Sequence, residues 1–197
     1  AKIFHYFCLA ALAGFLVISS FAQEIVSFDF FGLPTLFGKE GITFVDEAYW
    51  SGVRVIPILL LAYVFSAAYI QLSIWFKITK QTRFAILFTG TGATITILVN
   101  YFGIPTYGYL ASAWATLICY LVMTVMVYFV GQRYYPIPYR VGRMLLYVGL
   151  FLVAFLLNRQ IGPTNGYWLA FVMKAGICAA VLGIVAFLEK FQPIQWK

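Results

Sequence analysis

Charge is what this sequence has least of. Only 10% of its 197 residues are Asp, Glu, Lys or Arg, and six of those are acidic. A water-soluble fold of this length needs a polar shell, which 63% hydrophobic residues and a mean hydropathy of +0.93 do not supply. Histidine is nearly absent: His5 stands alone, so a Ser-His or Cys-His pair would have to be built around that one position. We read His5 as an interfacial packing residue and expect no catalytic residues and no enzyme. The three cysteines, Cys8, Cys119 and Cys178, lie inside apolar runs, with no spacing for zinc, a redox motif or a disulfide framework. They read as small packing residues, so neither a metal site nor a cofactor is expected. Glu24, Asp29, Glu40, Asp46 and Glu47 fall in one stretch and Glu189 stands near the other end. No pair of acids therefore sits in the middle of an apolar run, where a proton relay would need it.

What the sequence has in abundance is apolar runs, at about 2 to 22, 51 to 76, 84 to 104, 108 to 130, 142 to 158 and 166 to 188. A hydrocarbon core about 30 Å thick is crossed by about 20 residues of helix at 1.5 Å each. The fold class is therefore all-α, a polytopic transmembrane bundle of six spans. The opening run has only Lys2 as a basic flank and no small-residue cleavage site, so it reads as a mature helix and not a signal peptide. One long connection, IVSFDFFGLPTLFGKEGITFVDEAYW, is rich in aromatic residues and glycine, and is expected to lie along the membrane surface.

The net charge of +7 is divided among short segments beside the spans and forms no single basic face. Lipid headgroups are the expected partner and nucleic acid is not. Sorting the charges by side gives an orientation. Lys2, Lys77, Lys80, Arg83, Arg133, Arg140, Arg143, Lys190 and Lys197 share one side with Glu189 alone. Lys39 and Arg159 share the other with the remaining five acids. By the positive-inside rule both termini are cytoplasmic and the acidic loop at 23–50 is outside. Trp50, Trp75, Tyr134, Tyr135 and Trp168 fall near span ends, as an interfacial aromatic belt would.

Inside the spans, Gly108, Ser112 and Thr116 recur at i, i+4 and i+8, and Gly176, Ala180 and Gly183 mark the last span. Small residues at this interval let membrane helices approach closely, so they are read as helix-packing residues; a moving interface between two lobes would use the same residues. Four polar residues are candidates for substrate binding. Arg54 lies about one turn inside the outer end of the second span and Lys174 about two turns inside that of the sixth. A cation at such depth snorkels, pairs or lines a wet cavity. For Arg54 the choices are snorkelling, pairing with Asp46 or Glu47, or binding an anionic group such as a pyrophosphate. Gln71 and Asn100, with Thr94, either line a polar path or make interhelical hydrogen bonds.

The stretch from 69 to about 143 carries a more specific pattern. YIQLSIWFKITKQTRF is followed by a helix ending LVNYFGIPTYGYLASAWATLICYLVM and then by GQRYYPIPYR. Its centre is Asn100, Pro105, Tyr107, Gly108, Ala113, Ala115 and Thr116: an Asn before a short turn with Pro, then Tyr-Gly and a helix start of small residues. This closely resembles the C-terminal half of bacterial polysaccharide biosynthesis proteins, the oligosaccharide or lipopolysaccharide O-antigen flippases of the multidrug/oligosaccharidyl-lipid/polysaccharide exporter superfamily. Where that family usually has Gly-Ala-Ala, this chain has Leu110, Ala111 and Ser112 before Ala113.

The resemblance implies a portion of a larger transporter. Family members look like proteins of about 14 helices, two six-helix lobes plus two, and this chain would match about helices nine to fourteen. Residues 1–130 would then be four helices of the C-terminal lobe and 131–197 the two additional helices, with the N-terminal half of the same protein as partner. The implied activity is translocation of an undecaprenyl-pyrophosphate-linked oligosaccharide across the cytoplasmic membrane by alternating access. In related lipid flippases the last two helices are implicated in a groove for the lipid tail. Other readings are a cation-coupled exporter of small amphiphiles from the same superfamily, a membrane assembly protein, or an unrecognised enzyme.

Overall fold

A computed structural model of the chain describes residues 2–26, 52–134, 141–161 and 167–191. They form seven helices: α1 (Lys2–Val26), α2 (Ile56–Leu72), α3 (Ile74–Ile78), α4 (Arg83–Tyr107), α5 (Tyr109–Tyr134), α6 (Val141–Gln160) and α7 (Tyr167–Phe191). There is no strand among the described residues. Six segments are long and apolar enough to cross a membrane, with α2 and α3 together making the second. The fold is thus the all-α, six-span bundle that the apolar runs imply. Most of the acidic loop, with Trp50, Asp46 and Glu47, lies outside the described residues, as do Tyr135 and Arg140.

Two spans differ in detail from the sequence reading. The second is not one helix: a 3₁₀ turn at 52–55 leads into α2, which carries Pro57 in its first turn, where a missing N–H costs nothing. At the far end Ser73 separates α2 from α3, its Oγ donating to Ile70 O at 2.7 Å and so offering that carbonyl an alternative to the helical ladder. The third span runs past Pro105 to Tyr107, and Gly108 alone forms the turn into α5. Pro105 removes one N–H from the last turn without ending the helix. Gly108 ends it, with φ 59° and ψ −140°, a conformation that side chains disfavour.

Packing runs through α1 and α2 at the centre. One core joins α1, α2, α6 and α7 around Leu16, Phe151, Tyr147, Val64 and Val181. The other joins the α2–α3 region with α4 and α5 around Leu72, Trp75, Phe76, Phe88 and Val127. The two helices set apart by sequence, α6 and α7, are attached mainly through α1. Helix α4 lies at the opposite edge, held chiefly by α5. Outside these cores the surface is apolar: Ile86 is 77% exposed and Ile97 68%, and the same holds on α1, α6 and α7. Such a surface is stable against lipid and unstable against water.

Candidate functional site

The four candidate binding residues do not converge. Arg54 is exposed on the 3₁₀ turn before α2. Gln71 is half-buried near the other end of α2, about 25 Å away at 1.5 Å per residue. Asn100 is half-buried on the edge helix α4, and its Oδ1 is enclosed with no hydrogen-bond partner. Lys174 is buried on α7, one turn before Cys178 and on the same face. The proposed pairing of Arg54 with Asp46 or Glu47 lies outside the described residues.

The small-residue stripes also fall elsewhere than the interhelical contacts. Gly108 and Ser112 are exposed, Thr116 is half-buried, and Gly176, Ala180 and Gly183 are exposed. A Cβ added at Gly108, Gly176 or Gly183 would meet nothing within 4 Å. Within the described bundle these residues are not where the described helices touch. A stripe shifted by one residue turns by about 100° around the helix axis, so neighbouring positions can face opposite ways. On α5 the buried set is Ala111, Ala113, Ala115, Leu117, Met123, Val127 and Gly131. Close approach comes at Gly103, where a Cβ would lie 2.9 Å from Ala111 Cβ, and at Gly92, where it would lie 2.5 Å from Met123 Sδ. The Thr124 hydroxyl adds a bond from α5 to Phe65 O on α2, 2.9 Å away.

The threonines of α4 follow one rule. Thr89, Thr91, Thr94 and Thr96 each turn the hydroxyl back onto the carbonyl four residues earlier, at 2.7 to 2.9 Å. Thr89, Gly90, Ala93 and Thr94 are exposed. That edge is therefore narrow and mildly polar, with its donors already satisfied and no charge among them.

Two interhelical polar clusters stand out that sequence reasoning did not assemble. At one end of the bundle, His5 Nε2 on α1 donates to Glu189 Oε1 on α7 at 2.8 Å, and Tyr147 OH on α6 donates to the same oxygen at 2.7 Å. His5 and Tyr147 are buried and Glu189 is nearly so. Arg143, one turn before Tyr147, acts electrostatically on the same carboxylate. At the other end, Asn158 Nδ2 on α6 donates to Ser20 Oγ on α1 at 2.8 Å and approaches Cys178 Sγ on α7 at 3.5 Å. Asn158 is 2% exposed and its Oδ1 has no partner. The two clusters pin the same three helices at both ends, with α1 and α6 parallel and α7 antiparallel. The start of α1 and the end of α7 consequently lie on one face of the bundle. A signal for the first cluster was present: His5 is the sole histidine, Glu189 is the sole acid among the basic residues, and charge sorting puts both on one side. Nothing in the sequence paired Asn158 with Ser20, which are 138 residues apart.

No group of three or more His, Cys, Asp or Glu side chains suited to a metal ion occurs among the described residues. Comparison with protein-family models, with curated proteins and with solved structures gives no match to any of them.

Proposed function

We propose that this chain is part of a multi-pass transporter of the cytoplasmic membrane of a bacterium, moving an undecaprenyl-pyrophosphate-linked oligosaccharide between leaflets by alternating access. The start of α1 and the end of α7 then face the cytoplasm, as the charge sorting requires. A glycan bearing many hydroxyls and a pyrophosphate cannot cross hydrocarbon unless polar protein surface replaces its hydration. Rocking of two helical bodies around such a surface moves it without breaking a bond.

One observation carries this reading beyond the resemblance over residues 69–143. The helix that bears the motif, α4, sits at the edge of the bundle and turns Thr89, Gly90 and Thr94 outward, while Ser112 of the next helix is also exposed. Hydroxyls already bonded to their own helix tolerate lipid and can still accept hydrogen bonds from a sugar. The N-terminal half of the same protein supplies the facing wall in this reading. Arg54 is the candidate for the pyrophosphate, because it is exposed and lies at the outer end. Lys174 is buried among the contacts of α7, and this weighs against a direct role for it.

The test is vesicle reconstitution of the full reading frame, followed upstream through the expected additional spans, with a fluorescent lipid-linked oligosaccharide and a membrane-impermeant quencher. Label crossing to the far leaflet supports the proposal, and so does failure of residues 1–197 alone to move it. No crossing by the full protein, or crossing by these residues alone, overturns it. A second reading, a cation-coupled exporter of small amphiphiles, is favoured by the buried His5–Glu189 pair; efflux that follows an ion gradient would select it.

A further inference from the structure

We propose that the end of the bundle where α3 finishes, α4 begins and α5 finishes is a binding site for an anionic phospholipid, with Lys77, Lys80, Arg83 and Arg133 on its headgroup and the apolar helix faces beneath them on its acyl chains. The inference needs only that the bundle spans a membrane, and is independent of what the protein transports.

Three aromatic side chains bring these helix ends together. Trp75 of α3 is buried, stacks nearly parallel on Tyr134 at the end of α5 with centroids 5.8 Å apart, and lies 5.4 Å from Phe84 at the start of α4. Phe84 closes the triangle at 5.0 Å from Tyr134. Lys77 follows Trp75 closely in α3, Arg83 directly precedes Phe84, Arg133 directly precedes Tyr134, and Lys80 sits in the turn between α3 and α4. All four cations are exposed. Charges of one sign are therefore gathered about one aromatic cluster, of the kind that favours the level of the lipid headgroups.

Nothing among the described residues neutralises them. The carboxylate at this end of the bundle, Glu189, already takes His5 and Tyr147. The remaining acids are confined in sequence to 24–47, from the far end of α1 to the approach to α2. The stretch after α5, 135–140, lies outside the described residues and carries Arg140 and no acid. Lys77, Lys80 and Arg133 have neither an ion pair nor a side-chain hydrogen bond among the described residues. Arg83 rests its guanidinium over the Phe84 ring at 5.4 Å, a contact that leaves its N–H donors uncommitted. Lys80 adds a second kind of observation: its φ of 56° is one that glycine adopts freely and a side chain does not. The chain keeps a lysine there against backbone strain, and strain of this sort gathers where ligands are held.

What lies beneath the cations selects a lipid over a soluble anion. Because α4 begins at this end while α3 and α5 finish at it, the residues one turn deeper are Ile86 and Leu87 below Arg83, Phe129 below Arg133 and Ile74 below Lys77. Spacings of three and four put each on the same helix face as its cation. All of them are large, apolar and exposed. A soluble anion would use the charges alone, whereas a phosphate with acyl chains uses both layers. The two guanidinium groups suit paired phosphate oxygens, and the two ammonium groups act as point charges beside them.

The experiment is native mass spectrometry of residues 1–197 in detergent, titrated with phosphatidylglycerol and separately with phosphatidylcholine of the same acyl chains, read as the affinity for the first lipid bound. Phosphatidylglycerol is expected to bind more tightly. Lys80→Gly and Arg133→Gln are each expected to lower its affinity about fivefold, the effect of one cation beside an anionic headgroup, and to leave phosphatidylcholine unchanged. Lys80→Gly relieves the left-handed backbone, so a damaged fold does not account for its loss of binding. Lys190→Gln removes an exposed charge from the same end of the bundle, on α7, and is expected to leave both affinities unchanged. Equal affinity for the two lipids overturns the proposal. So does a preference for phosphatidylglycerol that survives Lys80→Gly combined with Arg133→Gln, or one that Lys190→Gln lowers as much as Lys80→Gly does. Displacement of phosphatidylglycerol by an equal concentration of glycerol phosphate also overturns it, because a soluble anion would then suffice.

Discussion

Gly131 of α5 lies directly against the indole of Trp75, such that a Cβ built on it would stand 2.9 Å from Nε1 and 3.1 Å from Cδ1. The indole is enclosed on its other sides by Phe76, Phe84 and Tyr134, the last stacked nearly parallel at a centroid distance of 5.8 Å. It has no free direction in which to retreat. Gly131→Ala is therefore expected to destabilise the bundle by about 1 to 3 kcal/mol, the range for overpacking a filled site. Gly176→Ala, on an exposed face with open space, is expected to be neutral or to stabilise by up to about 1 kcal/mol through helix propensity. Equilibrium unfolding of the two variants in the same detergent checks the contrast; equal effects would contradict this assignment of the packing faces.

Gly108 tests backbone strain separately from crowding. A Cβ there would meet nothing, yet φ is 59° and ψ −140°. Gly108→Ala is expected to cost about 1 to 3 kcal/mol although it clashes with no atom. Gly103→Ala, where the obstacle is the Ala111 methyl at 2.9 Å, is expected to loosen the α4–α5 hairpin by a different route. Adding Ala111→Gly should rescue Gly103→Ala and leave Gly108→Ala unimproved. Thermal unfolding of the two double variants gives the answer.

Asn158 and Ser20 are suited to a double-mutant cycle. Their bond joins α6 to α1 at a buried point, and measured couplings of this kind in membrane helices average about 0.6 kcal/mol and reach about 1.7. Because Asn158 Oδ1 has no partner, replacing the whole side chain by Leu removes an unsatisfied acceptor along with the donor. Asn158→Leu is expected to be less harmful than Ser20→Ala, which leaves the Asn158 amide without its closest acceptor. The reverse order would show that Oδ1 is satisfied in the membrane.

Lys80 occupies a position where glycine is favoured. It follows α3 with φ 56°, while Gln81 N–H reaches Phe76 O at 2.9 Å and Lys80 N–H reaches Lys77 O at 3.4 Å, the two reverse bonds of a Schellman turn. Left-handed backbone costs a residue with a Cβ about 1 to 2 kcal/mol, so Lys80→Gly is expected to stabilise by up to about 1 kcal/mol. Lys80→Val, branched at Cβ, is expected to destabilise. Chemical denaturation of the three proteins ranks them.

Arg54 separates two readings of an exposed cation. If the proposed function holds and Arg54 meets a pyrophosphate, Arg54→Gln should slow translocation of the lipid-linked glycan and leave unfolding unchanged to within about 0.5 kcal/mol. Arg54→Lys should recover only part of the rate, since a point charge replaces a planar fork. Translocation unaffected by either change would mean that Arg54 serves the membrane interface.

The number of spans, their order and their approximate ends were legible in the sequence, because a membrane helix must satisfy its backbone internally and be apolar along about 20 residues, and both conditions are local. The fine breaks were less legible. Pro105 suggested a turn, but the chain remains helical to Tyr107 and only Gly108, with φ 59° and ψ −140°, breaks it. The faces that pack within the described bundle were not legible either. In lipid both sides of a helix are apolar, so Ala111 and Ala115 look no more buried than Ser112 and Thr116 until a neighbour is placed beside them. Partners distant in sequence were out of reach altogether: that His5 meets Glu189, or Asn158 meets Ser20, follows from α6 and α7 docking on α1. The sequence determined that this chain is a six-span membrane bundle, by hydrophobic length alone. Tertiary structure decided which of its few polar groups face one another, because only packing brings together residues from opposite ends of the chain.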